Sequence, residues 1–370
     1  MKKTILVFFL FLGKFSLIAQ ITDVEEKFIL PTTLNESSGV IFFNGKLISH
    51  NDSGNDNFLY ELDTISGSIT RTITINNATN VDWEDITQDD TSIYIGDIGN
   101  NSGDRTDLKI YKINKTDYLN STNITSEVIN FNYSDQTDFT SNPNNTEWDS
   151  EALINIDTSL ILLTKNWITG ITKSYSIPKN SGTYAVSPMT STLTSGGLIT
   201  GASYNELTGK IYSVGYDSFL QPFVCISEGF SSNDIFSGTN TQIPLTNLGL
   251  EQIEAITYVG TNRYFITSES FNFPPFSDDA KLISFSTNDV VLSMEEQPIN
   301  SVFIYPNPVK NILNIDAIGF VSVEIYDIYA KLVYYIENPK EDVSHLNNGI
   351  YFVKINYPDY IYQIKKIIKD

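Results

Sequence analysis

The residues best placed to do chemistry are carboxylates that recur at the starts of apolar runs. Five segments share one template: an acidic or polar residue, any residue, Glu or Ser, a small or acidic residue, then an aliphatic. They are Glu36-Ser-Ser-Gly-Val40, Asp82-Trp-Glu-Asp-Ile86, Asp149-Ser-Glu-Ala-Leu153, Thr194-Ser-Gly-Gly-Leu198 and Gln252-Ile-Glu-Ala-Ile256. Oxygens that converge from such segments suit a hard cation, because Ca2+ takes about six to eight oxygen ligands. Glu84, Glu151 and Glu254 are the candidate ligands, with Asp82 and Asp149 beside them. The competing reading is structural, with each Glu satisfying amides of the neighbouring segment.

A second set of polar segments follows the first: His50-Asn-Asp-Ser-Gly-Asn-Asp56, Gly96-Asp-Ile-Gly-Asn-Asn101, Lys165-Asn-Trp167, Tyr216-Asp-Ser218 and Ser268-Glu-Ser270. From these, Asp52, Asp97, Lys165, Trp167 and Glu269 are the candidate ligand-binding residues. Asp and Asn are also ordinary turn formers, because their side chains bond nearby amides. Neither acidic loop fits EF-hand spacing, which needs a Glu at its last position. His50 is the one candidate for catalysis: an imidazole beside Asp52 serves as a general base or caps a turn. Lys165 and Arg105 either meet an anionic group or pair with neighbouring carboxylates. Trp83, Trp148 and Trp167 either form a sugar platform or are buried at sheet edges. There is no Gly-x-Ser-x-Gly elbow, no phosphate loop and no His-Glu-x-x-His. Cys225 reads as a small buried residue.

The elements that must position these groups are strands. Each template segment is followed by two further apolar runs, and a fourth separates most units. No helical period appears between them. Four antiparallel strands repeating every ~40–60 residues mean a β-propeller, since one such sheet cannot cover both its faces. The expected fold is all-β, with five blades, or alternatively six because the second unit is long. Lys27-Phe-Ile-Leu30 is placed to complete the last blade, where Val290–Leu292 is weak. In such a meander the starts of strands one and three share one face, which gathers both polar sets around the channel mouth.

Composition narrows the class further. The chain has 370 residues, 44 acidic against 23 basic, and a net charge of −21. That charge argues against a nucleic-acid partner. Two histidines and one cysteine leave no His/Cys zinc site and no disulfide framework. Residues 301–370 carry seven lysines against eight acidic residues, and residues 1–20 carry three lysines and no acid. Residues 21–300 therefore hold a net −23.

The two ends read as addresses. Residues 1–19 have a basic start and a short apolar run ending in Leu17-Ile18-Ala19, the pattern of a secretory signal peptide. No later segment is a candidate membrane span. Residues 20–293 are the propeller domain, and polar residues 294–300 the linker. Residues 301–370 alternate in short strands, as in a small β-sandwich. Their Tyr305-Pro-Asn-Pro308, Ile325-Tyr-Asp327 and Asn348-Gly-Ile-Tyr-Phe-Val353 segments resemble the type A C-terminal sorting domain of the type IX secretion system of Bacteroidetes. That resemblance implies passage through the periplasm, handling by the type IX machinery and its sorting protease, and release or attachment at the outer-membrane surface. The middle loosely resembles secreted bacterial propellers of lactonase-like and phytase-like layout, through His50-Asn-Asp-Ser-Gly-Asn55, Asp82-Trp-Glu-Asp-Ile86 and Gly96-Asp-Ile-Gly-Asn-Asn101. It implies no catalytic residue here. Two functions stay open: a calcium-stabilised module that binds an extracellular ligand, or a metal-dependent hydrolase of the lactonase or phosphoesterase class.

Overall fold

The structure is a computed structural model that describes residues 21–291, 303–317, 322–329, 331–336, 338–356 and 362–370. The signal-peptide and linker segments lie outside the described residues. The chain divides into two compact units, residues 1–292 and 293–370.

The first unit contains five mainly antiparallel sheets, each led by one of the strands Ser37–Phe43, Trp83–Gln88, Ser150–Ile156, Leu198–Asn205 and Gln252–Tyr258. Inner strands are covered on both faces and read as continuous apolar runs, such as the fully buried Leu160-Ile-Leu-Leu163. Outer strands keep one wet face and alternate, as in Glu127–Tyr133, where Ile129, Phe131 and Tyr133 point inward. Five apolar clusters fill the spaces between successive sheets. The last of the five spaces, between sheets five and one, is filled by Leu47 and Leu62 of sheet one packed with Ala255 and Leu282 of sheet five. The five lead strands touch their neighbours in the same cyclic order, the fifth returning to the first. The result is a ring of sheets, propeller-like in layout.

The ring closes with Thr22–Ile29, which pairs antiparallel with Lys281–Ser286 as the outermost strand of sheet five. Val290 and Val291 form no strand and are exposed. Lys281 bonds Glu251 and Asp278, each at 2.8 Å, beside Glu26 of the closing strand at 3.7 Å.

Sheet three departs from expectation. It has three strands, and the run Pro188–Leu193 contributes only a bridge to Tyr175 and a two-residue ladder at Leu193. Pro188 has no N–H to give a ladder. Gly182–Val186 instead lies parallel to Glu127–Tyr133 and extends sheet two. The long second unit spends its extra length on the short helix Lys115–Asn120 and the irregular residues 134–149.

In the second unit, Phe303–Tyr305, Ile312–Asp316 and Lys340–Asp342 form one sheet. Ser322–Tyr326, Leu332–Ile336, Gly349–Asn356 and Tyr362–Lys369 form another. Both sheets contribute to one core that includes Leu313, Ile325, Val353 and Ile367. Among the described residues no helix is long and apolar enough to cross a membrane.

Candidate metal centre

Each lead strand breaks register near its start, between Ser37/Gly39, Trp83/Asp85, Ser150/Ala152, Ile199/Gly201 and Ile253/Ala255. The residues skipped are Ser38, Glu84, Glu151, Thr200 and Glu254. A bulge leaves one residue out of the ladder and re-aims its side chain. The template therefore marks five equivalent bulges, with one correction. In unit four the equivalent segment is Leu198–Ala202, not Thr194–Leu198. Gly196 and Gly197 imitate the small position of the template, but they belong to a turn in which Ser195 Oγ bonds the Gly197 carbonyl at 2.7 Å.

The bulged hydroxyls serve structure: Ser38 Oγ donates to the Glu84 carbonyl and Thr200 Oγ1 to the Ile253 carbonyl, both at 2.5 Å. The amide-satisfying role considered for the glutamates falls to Asp85, which accepts from the Ile86 and Leu153 amides at 2.8 Å. Glu84, which accepts only a long bond from Ser38 Oγ at 3.4 Å, and Glu151, which pairs with Lys165 at 3.1 Å, also face other carboxylates.

Two carboxylate triads result, Asp52–Asp82–Glu84 and Glu84–Asp149–Glu151. Within each, one oxygen per residue lies within 4.8 Å of the others. Two oxygens on one ion stand at most ~5 Å apart when each bond is roughly 2.3–2.6 Å, so both triads are compact enough to share an ion. Glu84 belongs to both. Asp52 is half-buried and the other four are buried. Burial, followed by neighbouring negative charge, pushes Asp82 up to about 7 and Glu84 well above the carboxylate range. Burial also carries Asp52 up to about 6. Asp149 is oriented by the Asn100 amide and by Trp167 Nε1, each at 2.6 Å.

Glu254 joins neither triad. It lies in a lobe organised by Lys165, whose ammonium is 3.1 Å from Glu151 and sits over the rings of Trp167 and Tyr216. Burial lifts Glu254 to about 7, while Lys165 opposes the rise. Glu269 accepts from Gln252 at 2.6 Å and is held high by burial and then by Glu254.

The remaining candidates separate. Asp97 bonds Arg105 at 2.8 Å and the Asp82 amide at 3.2 Å, so this Arg is a partner of a buried carboxylate. Trp83 is a core residue, not a platform, and Trp148 is half-buried with Lys173 over its ring. The structure does not bring His50 among the carboxylate triads. Its ring is fully buried edge-on to Trp83, Nδ1 lies 3.0 Å from the Asn51 carbonyl, and burial lowers its pKa to about 4. An imidazole with no exposed atom is not positioned to take a proton from a substrate.

One contributor was not singled out by type. A side chain at Gly99 would collide with Glu84 Oε1 and Asp82 Oδ2, so only glycine lets the two carboxylates approach there. Its signal lay in the Gly96-Asp-Ile-Gly-Asn-Asn101 segment, whose second glycine is not in the left-handed region and so answers to space, not to turn geometry.

Residues 303–370 match the family described as secretion system C-terminal sorting domain. The tail is an export address. The protein is exported, handled by the type IX secretion machinery, and is secreted or attached to the cell surface. No curated protein matches the chain in sequence. Solved structures similar to it include the PQQ-bound form of an aldose sugar dehydrogenase from Streptomyces coelicolor, at 10% identity and a TM-score of 0.41, covering 72% of this chain and 98% of that one. A glucose dehydrogenase is similar at 9% identity and 0.41, covering 71% and 98%. YCF48 bound to D1 peptide is similar at 13% and 0.33, covering 93% and 96%.

Proposed function

We propose that the exported ring is a five-bladed β-propeller acting as a calcium-stabilised binding module, carried outward by a small β-sandwich sorting domain. The observation that carries the metal part is Glu84, shared by two buried carboxylate triads with Lys165 as the cation nearest them. Buried like charges either take up protons or hold a cation. Oxygen-only donors select a hard ion, and extracellular Ca2+ fits that donor set. The cation would draw the bulged starts of strands in sheets two and three together with the loop that carries Asp52. Trp167 and Glu269 would then present a ligand-binding rim beside it.

The test is calorimetric titration of the full exported chain with Ca2+, against an EDTA-treated control and Glu84→Gln. Binding that disappears in the variant supports the reading; absence of heat and of any melting shift in the parent protein overturns it. One observation keeps the hydrolase alternative: Asp82, raised to about 7, has the proton affinity of a base near neutral pH. Metal-dependent turnover of lactones, esters or phosphomonoesters, lost in Asp82→Asn, would favour that alternative over the binding module.

A further inference from the structure

The same five lead strands end around a cavity of about 840 Å3. Its wall takes in Val40–Phe43, Ile86–Gln88, Asn155, Ala202–Tyr204 and Ile256–Tyr258, so every sheet of the ring contributes. This is the carboxyl end of the lead strands, opposite the bulges. The volume falls in the range of small-molecule sites, about 300–1,000 Å3.

The polar groups on this wall are specific in kind. The Gln88 side chain is fixed by its Nε2, which donates to the Phe42 carbonyl at 2.8 Å, and the carboxylates of Asp89, Asp90, Asp157 and Glu206 stand among the lining residues as acceptors. Lys115 projects over Phe43, its nitrogen 4.5 Å from the ring centre, and offers N–H groups beside those acceptors. Tyr204 and Tyr258 add half-buried rings.

These groups discriminate among ligands. An apolar guest would desolvate Asp90, Glu206 and Lys115 without offering any of them a hydrogen bond. An anion would meet Asp89, Asp90, Asp157 and Glu206, while Lys179 is already engaged by Asp89 at 3.2 Å and the Asp157 carbonyl at 2.6 Å. A metal ion has its compact carboxylate groups, among the described residues, at the other end. A hydroxyl-rich guest both donates to the carboxylate oxygens and accepts from Lys115, and its C–H faces stack on the rings. We propose that this carboxyl-end cavity is a binding site for a neutral saccharide chain, separate from the carboxylate centre.

The experiment is calorimetric titration of the full exported chain with maltotetraose, cellotetraose, xylotetraose and chitotetraose, with spermidine and inorganic phosphate as charged controls. At least one tetrasaccharide is expected to bind. Tyr204→Ala and Lys115→Met should each weaken it about tenfold, whereas Glu127→Gln, at an exposed position outside the cavity wall, should leave it unchanged. If either cavity variant fails to fold, Glu206→Gln, at an exposed position on the cavity wall, carries the same expectation of weaker binding. Binding by none of the four, binding by spermidine or phosphate alone, or tetrasaccharide affinity unchanged in every folded cavity variant overturns the proposal.

Discussion

The two ends of the lead strands are made by the same repeat, yet they treat charge in opposite ways. At the bulged end Asp82 is buried among other carboxylates and rises to about 7. At the cavity end burial pushes Asp89 upward too, but the Thr91 amide, the Tyr94 hydroxyl, the Ser92 amide and Lys179 outweigh it and hold the carboxyl at about 2. Both residues are aspartates in the second sheet's hairpin, one on each side of Trp83–Gln88. What differs is the supply of donors. A bulge takes a residue out of the ladder and aims it at its counterparts, whereas the tight turn at Asp89 wraps amides around one carboxylate. A carboxylate wrapped by its own turn is finished structure. Carboxylates gathered in numbers that exceed the donors beside them are stabilised by protons or by a cation, and that makes the bulged end the functional candidate.

The largest break in this contrast is expected from Glu84→Gln. Removing the residue shared by both triads should weaken Ca2+ binding by about 100-fold, roughly 2.7 kcal/mol. In the parent protein, Ca2+ at about 100 times its Kd should raise the melting temperature by roughly 5–10 °C, and the variant should lose that rise. In EDTA the sign reverses: the variant should melt higher than the parent near neutral pH, because folding no longer requires a proton to be taken up at this position. Differential scanning calorimetry with and without Ca2+ measures both. Equal Ca2+ responses in the two proteins would mean that the triads do not share an ion. Gly99→Ala should reproduce the lost response while keeping every carboxylate, since it acts on their approach.

Lys165→Met comes next. It leaves Glu151 buried without its 3.1 Å partner, and breaking a buried pair on one side costs roughly 3–5 kcal/mol. That loss should appear in EDTA as a lower urea midpoint, and Ca2+ should recover part of it by replacing the missing positive charge. A midpoint unaffected by the substitution would show that Lys165 is not the counter-charge of this end.

How much of this was legible in the residues depends on what carried each feature. The ring was visible because inner and outer strands have different apolar patterns, and the closing strand was visible because sheet five lacked a fourth run. Asp82, Glu84, Asp149 and Glu151 were visible because acids recurred at the first and third template positions. Unit four was misaligned by four residues because Thr200 is neither acidic nor next to a distinctive residue, while Gly196-Gly197 looked like the template. Glu254 was expected to join the ligands, but type and spacing say nothing of the Lys165 side chain that arrives from another sheet. His50 was offered as a base because polar neighbours in sequence look like a site. Its burial under Trp83 is a tertiary fact. Lys115 and Tyr204 carried no signal as wall residues, because a cavity is defined only by the space that the sheets around it leave open.

A pH titration in EDTA sharpens the contrast with a smaller effect. Asp52, Asp82 and Glu254 are raised in the folded state to about 6, 7 and 7. The folded protein then binds more protons than the unfolded chain between roughly pH 4 and pH 7, so stability falls as pH rises through that window. Asp89, held at about 2, works the other way, and its contribution is lost only as pH drops below roughly 4. The melting temperature in EDTA should therefore fall by at least about 4 °C from pH 4.5 to 7.5, and saturating Ca2+ should remove most of the slope. A profile that rises over this interval without Ca2+ would place the burdened carboxylates elsewhere.

The smallest effect is expected from the matching substitution at the other end, Lys179→Met. Its ammonium lies 3.2 Å from Asp89 and 2.6 Å from the Asp157 carbonyl, so the geometry is as close as that of Lys165. Distance alone would give the two lysines equal weight. They differ in what each leaves behind. Asp89 keeps the Thr91 and Ser92 amides and the Tyr94 hydroxyl after Lys179 is gone, and its side chain is partly in contact with solvent. The cost should be that of a screened pair, about 0–1 kcal/mol, with the Ca2+ isotherm unchanged. A loss as large as that of Lys165→Met would mean that the cavity end also stores unpaired charge, and the two ends would then differ in shape but not in electrostatic design.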